Sequence, residues 1–167
     1  MAAASTPAIN LVRRHGIAHV VHEYRAPEPH GRGRGQRPDY GLQAATALGV
    51  PPARVFKTLI ATVDGRLAAA VLPVDRQLDP KALAAALGAR RAELVDPALA
   101  ERASGSVLGG ISPLALRRSM PVVIDLAIEA HALVLVSAGR RGLQLELAPG
   151  DLIRLAEASL AAIARLD

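Results

Sequence analysis

A chain of 167 residues that is 51% hydrophobic but only 2% aromatic is long enough for a core, and that core must be built from small aliphatic side chains. With no cysteine it can hold no disulfide framework, no thiolate zinc site and no cysteine nucleophile. The formal charge of +5 suits a polyanionic partner through counterion release, and suits equally a generally basic soluble protein.

Ser5 to His15 reads as a short helix, with Ser5 or Thr6 as cap, Pro7 in the first turn and Gly16 as the stop. His19 to Tyr24 alternates as a strand does. Residues 25–38, rich in Gly, Pro and Arg, read as a flexible loop, either solvated or touching phosphate. Gly41 to Leu48 is helical, stopped by Gly49 and Pro51-Pro52. Val55 to Val63 is the strongest strand; Asp64-Gly65 predicts a two-residue hairpin and Arg66 to Val74 the returning strand. Asp79-Pro80 opens a helix through Leu87, Ala92 to Val95 is a short strand, and Asp96-Pro97 opens another helix.

Ser104 to Pro113 is a glycine-rich loop in which Ser112 and Pro113 could start a helix. Strands are expected at Val122 to Leu126, Ala132 to Ser137 and Leu143 to Leu147, and helix from Pro149 to Leu166 with Asp151 as an N-cap. There is no repeat and no linker. This mixed order predicts a single α/β domain over residues 1–167, with a mixed or antiparallel sheet. Met1 to Ile9 has no signal-peptide pattern, and no run approaches roughly 18 apolar residues. The expected location is the cytoplasm, away from membranes.

Of 20 basic residues only Lys57 and Lys81 are lysines, so a lysine in this background points to a need for a compact ammonium. Lys57 shares a strand face with Val55, Leu59 and Ala61. It could hold a phosphate or polarise a carbonyl, or it could snorkel from an exposed face. Gly109-Gly110-Ile111-Ser112-Pro113 could present backbone N–H groups to an anion, or be an ordinary turn. Ser137-Ala138-Gly139-Arg140-Arg141-Gly142 is a phosphate-contacting hairpin or a basic turn. His15, His19 and His22 have helical spacing, but Gly16 interrupts it and no acidic cluster accompanies them, so no metal site is expected. No nucleophile elbow, Walker loop or dinucleotide fingerprint occurs.

Taken together, Val55-Phe56-Lys57-Thr58-Leu59, Gln77-Leu78-Asp79, the Gly109 to Pro113 loop, the Ser137 to Gly142 turn and Glu146-Leu147-Ala148-Pro149-Gly150-Asp151-Leu152 resemble the YbaK/EbsC family, in order along nearly the whole chain. That family is similar to the editing domain of bacterial prolyl-tRNA synthetases. The resemblance implies a curved, largely antiparallel mixed sheet flanked by helices, and no metal or cofactor. It implies trans-editing of misacylated tRNA(Pro), with Cys-tRNA(Pro) as first substrate and Ala-tRNA or another small aminoacyl-tRNA as alternative; an idle tRNA- or synthetase-binding module remains a third reading. The partners implied are the tRNA(Pro) acceptor end and, transiently, prolyl-tRNA synthetase, with no DNA. By position, Lys57, Gly110, Ser112 and Asp151 are carried over as catalytic. Tyr24, Thr58, Ile111, Ser137, Gly139 and Arg141 are carried over as substrate-binding. The attacking group in such an enzyme is the substrate's own thiol. The segment between Tyr24 and Leu42 is longer and more Gly/Arg-rich than the family leads one to expect, and Tyr40 stands about where a pocket-capping aromatic would lie.

Overall fold

The computed structural model describes residues 4–26 and 39–166; the loop expected over 25–38 falls, from residue 27 onward, outside them. Its helices are α1 (Pro7–Arg14), α2 (Tyr40–Leu48), α3 (Pro80–Ala86), α4 (Pro97–Ser104) and α5 (Pro149–Ala156). Its strands are β1 (His19–Glu23), β2 (Val55–Val63), β3 (Arg66–Pro73), β4 (Gln77–Leu78), β5 (Ala92–Leu94), β6 (Val122–Asp125), β7 (Val134–Ser137), β8 (Leu143–Leu147), β9 (Ser159–Ala161) and β10 (Ala164–Arg165). Four helices begin on a side-chain cap: Thr6, Asp39, Asp79 and Asp96 each accept a backbone N–H of the first turn. The Asp64-Gly65 turn has both residues at positive φ (48° and 82°), the geometry of a tight hairpin. The Asp64 carboxylate also accepts the N–H groups of Arg90 and Arg91, which holds β5 beside it.

The main sheet runs β1-β8-β7-β2-β3-β6-β9, with β5 also paired to β2; β4 and β10 form a separate pair. Pairings β2·β7, β3·β6 and β6·β9 are parallel and the others antiparallel, so the expected mixed α/β fold is what forms. Alternation along β2 divides the core cleanly. Phe56 and Ile60 face a layer made by α1, α4 and α5 through Ile9, Val12, Ala103 and Leu152. Ala61 and Val63 face α3 through Leu83, while Val55 faces α2 through Ala45. Lys57 lies on that second face, between the parts covered by α2 and by α3.

Two expectations are corrected. Ser112 and Pro113 do not open a helix; the Ser112 hydroxyl accepts the Leu114 N–H at 3.2 Å and closes a local turn. The helix expected from Pro149 to Leu166 stops at Ala156, because Glu157 turns left-handed (φ 50°) and the following residues pair as β9 with β6. Asp125 fixes that tail: one buried carboxylate oxygen accepts the N–H groups of Ile163 and Ala164, each at 2.9 Å. Strand pairing and buried hydrogen bonds here override the helix propensity of an alanine-rich stretch.

Three segments distant in sequence are locked around one corner. Thr6 Oγ1 donates to the Ala138 carbonyl, joining α1 to the turn after β7. The loop before Ile111 presses Gly110 against that same turn. A Cβ on Gly110 would stand 2.9 Å from the Arg141 nitrogen and 3.0 Å from the Arg140 Cα. At the outer edge, Glu146 on β8 accepts from Arg54 at 2.6 Å and contacts His22 on β1 at 3.2 Å. Burial would raise its pKa, but the hydrogen bonds from His22 and Arg54, with their charges, outweigh burial and hold the carboxyl below its ordinary value of 4.5.

Two outcomes follow. A carboxyl with a depressed folded-state pKa adds stability above its unfolded pKa and loses it as pH falls through the folded value. Urea denaturation between pH 7 and pH 3 should therefore show a stability loss below about pH 4.5 that is smaller in Glu146→Gln. Gly110→Ala, which meets backbone on contact, should lower unfolding free energy by about 1–3 kcal/mol in the same assay.

Candidate active-site cleft

Strand β2 is paired along its whole length with β3, but its other edge is not continuous. Val55 and Phe56 pair with β7, Ala61 to Val63 pair with β5, and no strand pairs with the residues between. The Val55 carbonyl accepts the Val74 N–H on the β3 side, and the Ile60 carbonyl accepts the Val95 N–H on the opposite side. Alternation then places the Thr58 N–H and C=O on the interrupted edge, aimed into the gap between β7 and β5.

A cleft of about 440 Å³ occupies this gap, within the range of small-molecule sites. It is lined by Val55 to Leu59 of β2, Asp39, Tyr40 and Gly41 at the start of α2, Val74, the loop residues Leu108, Gly109 and Ile111, and Ser137 and Gln144. Ser137 and Gln144 are direct partners in the β7·β8 ladder. The β2·β7 register brings Lys57 alongside Ser137, so Lys57, Ser137 and Gln144 form a polar row across three strands. The Ser137 hydroxyl accepts the Gly139 N–H at 3.3 Å, which leaves its hydrogen to donate.

The mouth is held by a clamp. The Tyr40 ring lies against Gly109, where a Cβ would be 2.6 Å from the ring. The Arg141 guanidinium stands over the Tyr40 ring, 4.5 Å from its centroid, and its Nε donates to the Leu108 carbonyl at 2.6 Å. Asp39 caps α2 with one carboxylate oxygen, at 3.0 Å from the Leu42 nitrogen.

Of the ten residues singled out by sequence, Lys57, Thr58, Ile111 and Ser137 line the cleft. Thr58 does so through its backbone, since the pleat turns its side chain to the face of Phe56 and Ile60. Gly110, Gly139 and Arg141 shape the wall from behind, through the packing just described. Ser112, Tyr24 and Asp151 are not in the lining. Ser112 is buried in its turn, and the Tyr24 N–H donates to the Gly142 carbonyl. Asp151 lies inside the first turn of α5, where it pairs with Arg154, and the N-cap of α5, Ala148, has no capping side chain. Gln144 went unmarked in sequence: in Leu143-Gln144-Leu145-Glu146-Leu147 it alternates against leucines and reads as a solvent-facing position. Among the described residues no group of three His, Asp or Glu side chains could hold a metal, and no helix is long and apolar enough to cross a membrane.

Residues 41–155 match the family model of the aminoacyl-tRNA editing domain. Over 160 residues the chain is 31% identical to EbsC of Enterococcus faecalis, a candidate Cys-tRNA(Pro)/Cys-tRNA(Cys) deacylase, covering 95% of this chain and 92% of that one. It is 35% identical over 103 residues to the proline–tRNA ligase of Moorella thermoacetica, covering 62% of this chain and 18% of the ligase. It is also 32% identical over 92 residues to ProXp-y of Escherichia coli K12, a multifunctional Ser/Thr-tRNA deacylase, covering 54% of this chain and 55% of that one. The fold matches the crystal structure of the hypothetical protein APE2540 with a TM-score of 0.82 at 22% identity, covering 96% of this chain and 100% of that one. It matches a candidate trans-editing enzyme for prolyl-tRNA synthetase with a TM-score of 0.75 at 17% identity, covering 97% and 99%. With a matched segment that runs from the first turn of α2 to the last turn of α5 and encloses the whole of the cleft lining except Asp39 and Tyr40, this chain belongs to the aminoacyl-tRNA editing domain family.

Proposed function

We propose that this protein is a trans-acting aminoacyl-tRNA deacylase that removes cysteine from tRNA(Pro), meeting the acceptor end of the tRNA in a transient complex with prolyl-tRNA synthetase. The observation that carries the reading is the cleft itself, which gathers Lys57, the Thr58 backbone and Ser137 around one gap in the sheet. An aminoacyl ester is small, neutral at its carbonyl and attached to a ribose with phosphates close by. A lysine ammonium and directed N–H donors are the groups that hold such a substrate and stabilise charge developing on the carbonyl oxygen. Editing of this kind answers a physical limit, because a synthetase cannot reject by binding alone an amino acid near the size of its own.

Among the described residues the lining has no histidine and its one serine already accepts the Gly139 N–H, and the chain has no cysteine. This favours attack from within the substrate. The cysteinyl sulfur adds to its own ester carbonyl, the bond between that carbon and the ribose oxygen breaks, and the thiol proton ends on the released ribose hydroxyl. The products are a thiolactone and free tRNA. Lys57 and Ser137 position the ester, and the protein contributes orientation rather than a nucleophile. Gly110, Gly139 and Arg141 keep the wall in place; Tyr24, Ser112 and Asp151 take no step in this scheme. The likeness to the Ser/Thr-tRNA deacylase of Escherichia coli supports a second reading, in which a side-chain hydroxyl or water replaces the thiol.

Deacylation of Cys-, Ala- and Ser-tRNA(Pro) at equal concentrations separates these readings. Rapid loss of the cysteinyl ester alone is the expected result; equal rates for Cys and Ser would overturn thiol assistance, and loss of none would remove the enzyme reading. Lys57→Ala should keep its circular dichroism spectrum and melting transition while losing at least about 100-fold in kcat/KM, the scale seen when one directed donor is removed. Wild-type turnover in that variant would overturn the role given to Lys57.

A further inference from the structure

Buried polar atoms in folded proteins are almost always hydrogen-bonded. Among the described residues two buried side-chain oxygens lack a partner: Thr58 Oγ1, on the face of the sheet turned away from the cleft, and the Oε1 of Gln144, a residue that lines the cleft. Gln144 is only 4% exposed and sits opposite Ser137 in the ladder, at the far end of the polar row that begins with Lys57. A carboxamide oxygen with no donor is a standing cost to the fold unless a ligand supplies the missing hydrogen.

We propose that Gln144 is the residue that reads the α-amino group of the aminoacyl ester, its Oε1 accepting a hydrogen bond from that group. This rests on the deacylase reading and gives the cleft a polarity. Lys57, a donor, takes the acceptor-rich carbonyl and ribose end. Gln144, two strands away, takes the end of the substrate that is a donor whatever the amino acid. An acceptor beside an ammonium forms the stronger, charge-assisted kind of hydrogen bond. Asp39 is the competing acceptor in the lining, but it is exposed at the mouth and one of its oxygens already caps α2. A neutral amide also suits a cleft that must release its product, because it attracts the amine without forming a full ion pair.

The test uses uncleavable ligands, the 3′-amide analogues of cysteinyl- and alanyl-adenosine, each with a free and an N-acetylated amine, measured by calorimetry on the full chain. Wild-type protein should bind the free-amine forms at least about tenfold more tightly than the acetylated forms, the size of a hydrogen bond to a charged group. Gln144→Met, which keeps the length and removes the oxygen, should erase that preference while binding the acetylated forms as wild type does. Gln144→Leu should do the same, and neither variant should melt below wild type, since each removes an unsatisfied buried oxygen. Asp39→Asn should retain the preference. The proposal is overturned if the amine preference survives in both Gln144 variants, if Asp39→Asn alone abolishes it, or if the loss in the Gln144 variants tracks the thiol and not the amine. Turnover of aminoacyl-tRNA by the wild type is scored separately: amine-dependent binding through Gln144 without turnover would sustain this inference and remove the deacylase reading.

Discussion

Strand β2 carries a continuous ladder on one edge and an interrupted one on the other. Against β3 it forms an uninterrupted antiparallel ladder from Val63 down to Phe56. On its other edge it is shared between β7, which runs parallel to it, and β5, which runs antiparallel. The pairing with β7 ends at Phe56 and that with β5 begins at Ala61, so the edge is open between them, and Thr58 turns its peptide groups into the gap. Everything in the cleft follows from that break. Lys57 is on the strand at the gap, Ser137 ends the strand that stops short of it, and the Gly109 to Ile111 loop fills the space beyond.

Small side chains make this possible. The layers that cover the sheet contact it through alanine, valine, leucine and isoleucine, with Phe56 the one aromatic in the core. Helices carrying such residues sit close and leave little slack, so α2 and α3 cover separate parts of one face and Lys57 lies between them. The walls of the cleft, which combine the β2 backbone with side chains such as Val55, Leu108 and Ile111, are stiffened by the Thr6 bond to Ala138 and by the Tyr40–Arg141 clamp. Positioning by a rigid frame fits a reaction in which the substrate brings its own attacking group.

Local chemistry made most of the fold legible in the sequence. Asp79-Pro80, Asp96-Pro97 and the Asp64-Gly65 hairpin act over a few residues, and each produced the element it announces. What local patterns could not disclose was pairing at long range. The alanine-rich tail reads as helix, and becomes β9 and β10 because β6 and β4 offer strand partners and Asp125 offers an acceptor. The same holds for the cleft. Lys57 stood out as one of two lysines, whereas Gln144 is distinguished only by its partner Ser137 across the ladder, a fact of register. Asp151 looked like a cap, yet α5 starts two residues earlier, at Pro149, with Ala148 at its N-cap.

The Thr6 bond to Ala138 has a kinetic meaning as well as a static one. It joins residues 132 apart, and β1 pairs with β8 across a similar span. Closing such loops loses chain entropy before any contact repays it, so these contacts belong to the late part of folding. The β2–β3 hairpin, closed by two residues, has no such delay. The chain thus assembles its lysine-bearing strand first and the opposing wall last. During synthesis, the side of the cleft built from Ser137 and Gln144 is completed only after β8 has emerged and the waiting N-terminal segment docks against it.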